Sequence, residues 1–172
     1  MKKRNLHVLL ALVAILALAA CGGSSESGGG QADTPLYVDA GQDSDIDWSL
    51  FPIIIDGQRG VAADWYTAPG EDFPTHIPLA PVAAALGVVL DIADSFPPEV
   101  SMEGRQGPIT FTVGTYIFNI GSQRVDLWQP SLLVDGEIYV PIPFFRDVFG
   151  MGQAMWMGGH VHLNTEAMDD MH

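Results

Sequence analysis

Two stretches of the chain repeat one order of apolar and polar positions. In each, a β-branched apolar run leads into Asp-Gly (53–58 and 132–138), and an apolar segment with helical spacing follows (77–88 and 140–151). Asp-Gly supplies the positive φ angles of a tight hairpin turn, and apolar residues at i, i+3 and i+7 form one face of a helix. The pattern therefore predicts two units, each made of a strand hairpin and a short helix.

The two helical segments superpose without a gap. Ile77 corresponds to Val140 and Gly87 to Gly150, a constant offset of 140 − 77 = 63 residues. Each glycine is expected to end its helix as a left-handed cap. The Asp-Gly pairs are 135 − 56 = 79 residues apart, so the first unit carries an insertion of 79 − 63 = 16 residues within 60–76.

Further strand-like runs occupy 88–92, 109–120 and 153–163. Two small helices together with antiparallel strands indicate an α+β domain. We predict two pseudo-repeated units of a strand hairpin and a short helix, in which an antiparallel sheet packs on the two helices.

The N-terminal residues have the layout of an export signal, with three cations, an apolar run from Leu6 and small residues before Cys21. The run is short for a membrane span, which needs about 20 apolar residues. Residues 18–21, LAAC, resemble the lipobox of bacterial lipoproteins, in which the cysteine takes a diacylglycerol and becomes the first mature residue. We therefore expect lipidation of Cys21; an ordinary secretory signal with an accidental cysteine is the alternative.

The chain divides into four predicted parts. These are a signal peptide (1–20), a lipidated cysteine with a Gly/Ser-rich tether (21–35), a folded domain (36–165) and a tail (166–172). Lipid chains hold a protein at a membrane, and Gly/Ser-rich sequence behaves as flexible coil. The expected location is the extracytoplasmic face of the cell membrane, or the outer membrane if the host is Gram-negative.

The mature chain is strongly acidic. Three of the seven Lys and Arg residues precede Cys21 and all 21 Asp and Glu residues follow it, which leaves a formal net charge of 4 − 21 = −17. Such a surface repels phosphate backbones and anionic lipid headgroups. Nucleic acid is therefore excluded as a partner.

The order of these motifs resembles the copper amine oxidase N-terminal-like domain, also called the stalk domain, which is common in secreted and surface proteins of bacteria. The first helix (77–87), the second hairpin and helix (134–150) and the closing hairpin (154–164) carry the resemblance, with Trp156 at the family's usual aromatic position. The arginine that commonly follows the VPL segment in the family is replaced here by Ala80 and by Pro143. The resemblance implies an accessory, non-catalytic module.

No catalytic set emerges from the sequence. By the same resemblance, copper amine oxidases use a tyrosine-derived quinone, in an Asn-Tyr-Asp/Glu context, within a separate catalytic domain. None of the four tyrosines follows an asparagine, and no G-x-S-x-G motif is present. We predict that the chain is not an enzyme; a cell-wall hydrolase or oxidase is the least supported function.

His160 and His162 form an H-x-H motif at the end of the domain. Residues i and i+2 of a strand share one face, so both imidazoles could bind one copper ion. Alternatively, both rings face solvent and the methionines fill gaps in the core. The soft and borderline ligands near this motif are Met151, Met155, Met157, Met168, Met171 and His172.

The insertion in the first unit contains the aromatic residues Trp65, Tyr66 and Phe73. Aromatic side chains on a loop can stack on a sugar or peptide ligand, or they can fold back over the sheet edge as a minor core. The function expected from the whole sequence is a non-catalytic, lipid-anchored binding or interaction module of the cell envelope. Its expected partners are the membrane, through the anchor, and the cell wall or an envelope protein; a copper-handling lipoprotein is the alternative.

Overall fold

Short strands dominate the fold. The computed structural model describes residues 37–39 and 47–166 of the chain. Within these residues a 3-10 helix spans Trp48–Leu50, and the two α-helices are α1 (Leu79–Leu86) and α2 (Pro143–Asp147). The strands are β1 (Tyr37–Asp39), β2 (Ile53–Ile55), β3 (Arg59–Val61), β4 (His76–Pro78), β5 (Leu90–Ile92), β6 (Glu99–Gly104), β7 (Gly107–Thr112), β8 (Ile117–Ile120), β9 (Gln123–Asp126), β10 (Leu132–Val134), β11 (Glu137–Pro141), β12 (Gln153–Met157) and β13 (His160–Asn164).

The strands form three sheets rather than the single antiparallel sheet that the sequence predicts. The terminal sheet has the order β1-β3-β2-β13-β12, the three-stranded sheet the order β10-β11-β4, and the meander sheet the order β5-β6-β7-β8-β9. All pairings are antiparallel except that of β13 with β2, which is parallel. A parallel pair needs a long crossover connection, and here nearly the whole domain lies between the two strands. The fold is therefore sheet-rich and mostly antiparallel, with two short helices.

Both Asp-Gly pairs lie in hairpin turns with positive φ. Asp56 and Gly57 have φ angles of 52° and 65°, and Asp135 and Gly136 have φ angles of 51° and 87°. The second turn is a two-residue loop, because Val134 pairs directly with Glu137. The first loop holds one residue more, since Ile55 pairs with Arg59.

Helix α1 agrees with the predicted apolar face, and Gly87 ends it in the left-handed conformation with φ 71°. Helix α2 is shorter than the sequence predicts and already ends at Asp147. The Phe149 carbonyl accepts a hydrogen bond of 2.9 Å from the backbone N–H of Arg105, in the β6–β7 turn. Gly150 has a φ of 93° but lies beyond the helix end, so the prediction that it caps α2 directly is wrong. The backbone N–H groups of Val148 and Phe149 both donate to the Phe144 carbonyl, at 2.9 Å each, and close the last turn of the helix.

Strand β6 joins the other apolar segments around one core, although its sequence EVSMEG has little β-branched character and the sequence analysis does not predict it. Its inward residues Val100 and Met102 are buried. Four aromatic rings contact one another in series at the centre of the core, with 4.9–5.3 Å between successive ring centroids. They are Phe111, Phe118, Phe144 and Phe145. The core thus connects the meander sheet to α2.

Candidate functional site

The H-x-H motif lies on β13, which pairs with β2 on one side and with the edge strand β12 on the other. Val161 and Leu163 are fully buried in the core, whereas His160 and His162 are half-buried on the opposite face of the strand. The imidazole centroids are 6.1 Å apart and their planes are inclined by 77°. The alternation expected for a strand therefore places both rings on one face, as the sequence predicts.

A backbone carbonyl holds the first of these rings. His160 Nδ1 lies 2.9 Å from the Phe51 carbonyl oxygen. A carbonyl only accepts, so Nδ1 donates this hydrogen bond, and in the neutral ring Nε2 is the nitrogen that can bind an external group. His162 makes no hydrogen bond to another described residue and contacts the His160 ring. Each imidazole therefore has a nitrogen that could bind an external group.

The methionines divide into two groups. Met155 and Met157 are on β12, directly opposite His162 and His160 in the antiparallel register. Their side chains are 36% and 51% exposed. Met151, by contrast, is buried in the core. Met168, Met171 and His172, which the sequence analysis also considers, lie outside the described residues.

Within residues 47–166, no three His, Cys, Asp or Glu side chains cluster as a metal site. The two imidazoles of the β12–β13 hairpin therefore have no third ligand of these types in a cluster with them. The register places the thioethers of Met155 and Met157 opposite them.

The three aromatic residues of the insertion do not form one exposed surface. Trp65 packs against the core, and Tyr66 lies between His76 and Tyr139, with ring centroids 5.9 and 6.1 Å away. Only Phe73 is exposed, with 43% of its surface accessible. The folded-back arrangement therefore holds for two of the three residues.

His76 organises this insertion from the buried strand β4. Its Nδ1 lies 2.8 Å from Thr75 Oγ1 and its Nε2 lies 2.9 Å from the Pro130 carbonyl. Burial lowers the pKa of His76, and the hydrogen bond to Pro130 opposes this effect. The Tyr66 backbone N–H donates to the His76 carbonyl at 2.9 Å. Hydrogen bonds on both sides of β4 thus hold the insertion against the domain.

A shallow aromatic groove lies where three distant segments meet. Phe73 from the insertion, Trp128 after β9 and Trp156 from β12 line it, together with Pro74, Thr75, Gln129, Ile142 and Pro143. The groove has a volume of about 230 Å³. The two tryptophans are 68% and 44% exposed. The sequence pattern predicts no ligand-binding role for Trp128 or Trp156, because only the fold brings them beside Phe73.

Gln129 gives the groove an unsatisfied polar group. Its side chain is buried, and its Oε1 has no hydrogen-bond partner among the described residues. Buried polar atoms are almost always hydrogen-bonded, so an unpaired acceptor beside a groove calls for a donor from elsewhere.

The four arginines after Cys21 all make contacts within the domain. The hydrogen bond from the Arg124 guanidinium lowers the pKa of Asp126. The chain as a whole carries far more acidic than basic residues. The lining of the aromatic groove carries no charged side chain. The contacts are Arg59 to the Ala85 carbonyl at 3.1 Å, Arg105 to the Thr165 carbonyl, Arg124 to Asp126 at 2.7 Å and Arg146 to Asp147 at 2.6 Å.

Cys21, the predicted lipidation site, lies outside the described residues. None of the helices in the part of the chain that the structure describes has the length and apolar composition of a membrane span.

Comparison with protein families agrees with the motif order. A family model for the copper amine oxidase N-terminal domain matches residues 71–159, more than half of the chain. The chain belongs to this family. No curated protein and no solved structure matches the chain significantly. The family is that of an accessory domain and not of the catalytic domain, so the match brings no catalytic residues with it. It includes every residue that lines the aromatic groove but ends one residue before His160.

Proposed function

We propose that this copper amine oxidase N-terminal domain is a non-catalytic binding module, anchored through Cys21 to the extracytoplasmic face of the cell envelope. The lipobox-like LAAC and the Gly/Ser-rich residues that follow it support the anchor and the tether. The family match supports an accessory role. The module would hold its ligand a short distance above the lipid surface.

The aromatic groove carries this proposal. Three large aromatic side chains, Phe73, Trp128 and Trp156, leave 43%, 68% and 44% of their surface in water although they come from separate parts of the chain. Tryptophan is enriched among the residues that dominate binding energy, because a rigid apolar ring is buried at low entropic cost. A set of such rings around one groove is typical of a contact surface.

The composition of the groove favours a neutral ligand with apolar faces. The lining has no charge, and the acidic surface around it disfavours anions. Gln129 adds one amide side chain to the lining, which suits a ligand with N–H or O–H groups. A sugar ring of the cell wall or an uncharged segment of an envelope protein meets both conditions.

Titration of the full chain, with Cys21→Ser and in detergent, would test the groove. Soluble glycan strands and uncharged peptides from envelope proteins are added separately, and tryptophan fluorescence and backbone amide NMR shifts are recorded. We expect one ligand class to bind. Trp128→Ala and Trp156→Ala should each weaken its binding by about thirtyfold or more, as losses of about 2 kcal/mol or more at such positions imply.

Phe96→Ala is the matched control, because Phe96 is an exposed aromatic residue that does not line the groove. Its binding should equal that of the parent chain. Binding of neither ligand class, or an equal loss in all three variants, contradicts the proposal.

We further propose that the two hairpin and helix units arose by duplication. Both hairpins turn at an aspartate with a φ near 50°, Asp56 and Asp135, followed by a glycine. A non-glycine residue with positive φ is uncommon, so its recurrence at corresponding positions supports a common origin. In each unit the strand that leads into the helix, β4 or β11, continues into it almost without a break.

Copper handling is a second candidate function, favoured by one observation on β13. The Phe51 carbonyl fixes the His160 tautomer and leaves Nε2 free, as second-shell carbonyls do for histidines that bind metals. Paramagnetic resonance of Cu(II) added to the chain tests this function. Nitrogen hyperfine coupling is expected, and it should disappear in the His160→Ala, His162→Ala double variant; an unchanged spectrum contradicts this function.

A further inference from the structure

The outward face of the β12–β13 hairpin places a methionine directly opposite each histidine. Met157 pairs with His160, and Met155 pairs with His162. We propose that these four side chains together bind one soft monovalent metal ion, Cu(I) or Ag(I). This inference rests on the copper-handling function and adds its ligand set and the oxidation state of the ion.

The register brings the four side chains within reach of one ion. Residues directly opposite in antiparallel strands have Cβ atoms about 4.5–5.5 Å apart, and residues i and i+2 lie on the same face. The imidazole centroids are 6.1 Å apart. Methionine has three rotatable side-chain bonds, so each sulfur can adjust its position toward an ion between the two rings.

The exposure of the two methionines argues against a packing role. Met102 and Met151 are buried and fill the core, as methionine usually does. Met155 and Met157 are 36% and 51% exposed on the hairpin face that points away from Val161 and Leu163. Two thioethers that fill no gap, each opposite an imidazole, suit ligation better than packing.

The donor set selects a soft monovalent ion. Thioether sulfur favours Cu(I), whereas Zn²⁺ is held by thiolate, imidazole and carboxylate ligands. Among the described residues, no carboxylate or further histidine joins the two imidazoles in a cluster of three. A net charge of −17 on the mature chain attracts cations of any kind, and the thioethers then discriminate among them.

The family match includes Met155 and Met157 but ends at Gly159, before both histidines. None of the four proposed ligands lines the aromatic groove, so the groove and the proposed metal site can be tested with separate substitutions.

Competition for Cu(I) tests the ligand set. The full chain with Cys21→Ser, in detergent with ascorbate and without oxygen, competes with a coloured Cu(I) chelator. We expect one Cu(I) per chain. The affinity of the Met155→Leu, Met157→Leu double variant for Cu(I) should be lower by at least about tenfold, since loss of even an outer-shell partner lowers metal affinity by that factor. The matched control is Met102→Leu, Met151→Leu, which alters two buried methionines and should bind as the parent does.

Methyl NMR with Ag(I) gives a second reading that does not depend on redox chemistry. The Cε methyl signals of Met155 and Met157 should shift, and those of Met102 and Met151 should not. The leucine substitutions are conservative and exposed, so their effect on binding is separable from folding, which circular dichroism monitors.

The outcomes separate this inference from copper handling as such. If the Met155→Leu, Met157→Leu variant binds Cu(I) as tightly as the parent chain does, thioether ligation is overturned. Copper handling would still stand if the His160→Ala, His162→Ala variant loses Cu(II) binding. If the parent chain binds neither ion, both are overturned.

Discussion

Ile77 lies directly opposite Val140 in the antiparallel pairing of β4 with β11. These are also the two residues that the superposition of the sequence units equates. The superposition relates Ile77 to Val140 by an offset of 63 residues. The same offset relates His76 to Tyr139 and Pro78 to Pro141. His76 pairs with Pro141, and Pro78 pairs with Tyr139. This is the register that a twofold axis between Ile77 and Val140 would produce, so the proposed duplication would have built an internal pairing like that of two identical subunits.

We predict that Ile77 and Val140 are energetically coupled. Both side chains are fully buried, so Ile77→Ala should lower the free energy of unfolding by about 2–5 kcal/mol. In a double-mutant cycle with Val140→Ala, the losses should depart from additivity by about 0.5–3 kcal/mol, as contacting residues do. Urea unfolding measures both. The exposed Val89→Ala, combined with Val140→Ala, is the additive control; additivity in both cycles would refute the coupling.

The stability of the domain should fall as the pH decreases below about 6.5, the ordinary pKa of histidine. Burial lowers the pKa of His76 in the folded state, so between the folded and unfolded pKa values the unfolded chain binds more protons. The contribution of neutral His76 is therefore present above the unfolded pKa and is lost as the pH falls toward the folded pKa. Urea unfolding from pH 7.5 to 5.5 should show a smaller pH dependence in His76→Gln, and equal slopes would show that His76 is not responsible.

Gly60→Ala should destabilise the terminal sheet. A Cβ on Gly60 would lie 2.4 Å from Cγ of the buried Phe51 ring, so the ring must move. Overpacking of this kind costs about 1–3 kcal/mol. Phe51→Ala removes Cγ and Cδ1, the ring atoms nearest to this Cβ, so adding Gly60→Ala should cost less in the Phe51→Ala background than in the parent chain. An unchanged urea midpoint in Gly60→Ala alone would mean that the ring adapts freely.

Cys21→Ser should abolish lipid attachment. Metabolic labelling with a radioactive fatty acid should mark the parent chain, which fractionates with membranes because two or more acyl chains anchor it stably. The serine variant should remain unlabelled. Ser25→Ala, a substitution in the predicted tether, is the control and should behave like the parent. Labelling that persists without the thiol would rule out attachment at Cys21.

The sequence by itself determined the features that depend on a few neighbouring residues. Asp-Gly specified positive φ at both hairpin turns, because few other residues accept that conformation. The spacing of Leu79 and Val82 specified the buried face of α1. The alternation of β13 placed His160 and His162 on the face opposite Val161 and Leu163.

Only the tertiary structure decided which distant segments meet. The parallel pairing of β13 with β2 and the division into three sheets depend on strand partners far apart in the chain, which local patterns do not encode. The local pattern also did not predict that α2 ends at Asp147 or that Phe149 bonds to the β6–β7 turn. The groove arises in the same way, since Phe73, Trp128 and Trp156 become neighbours only when the core packs. Side-chain type and spacing are local quantities, whereas strand pairing and packing are properties of the whole chain.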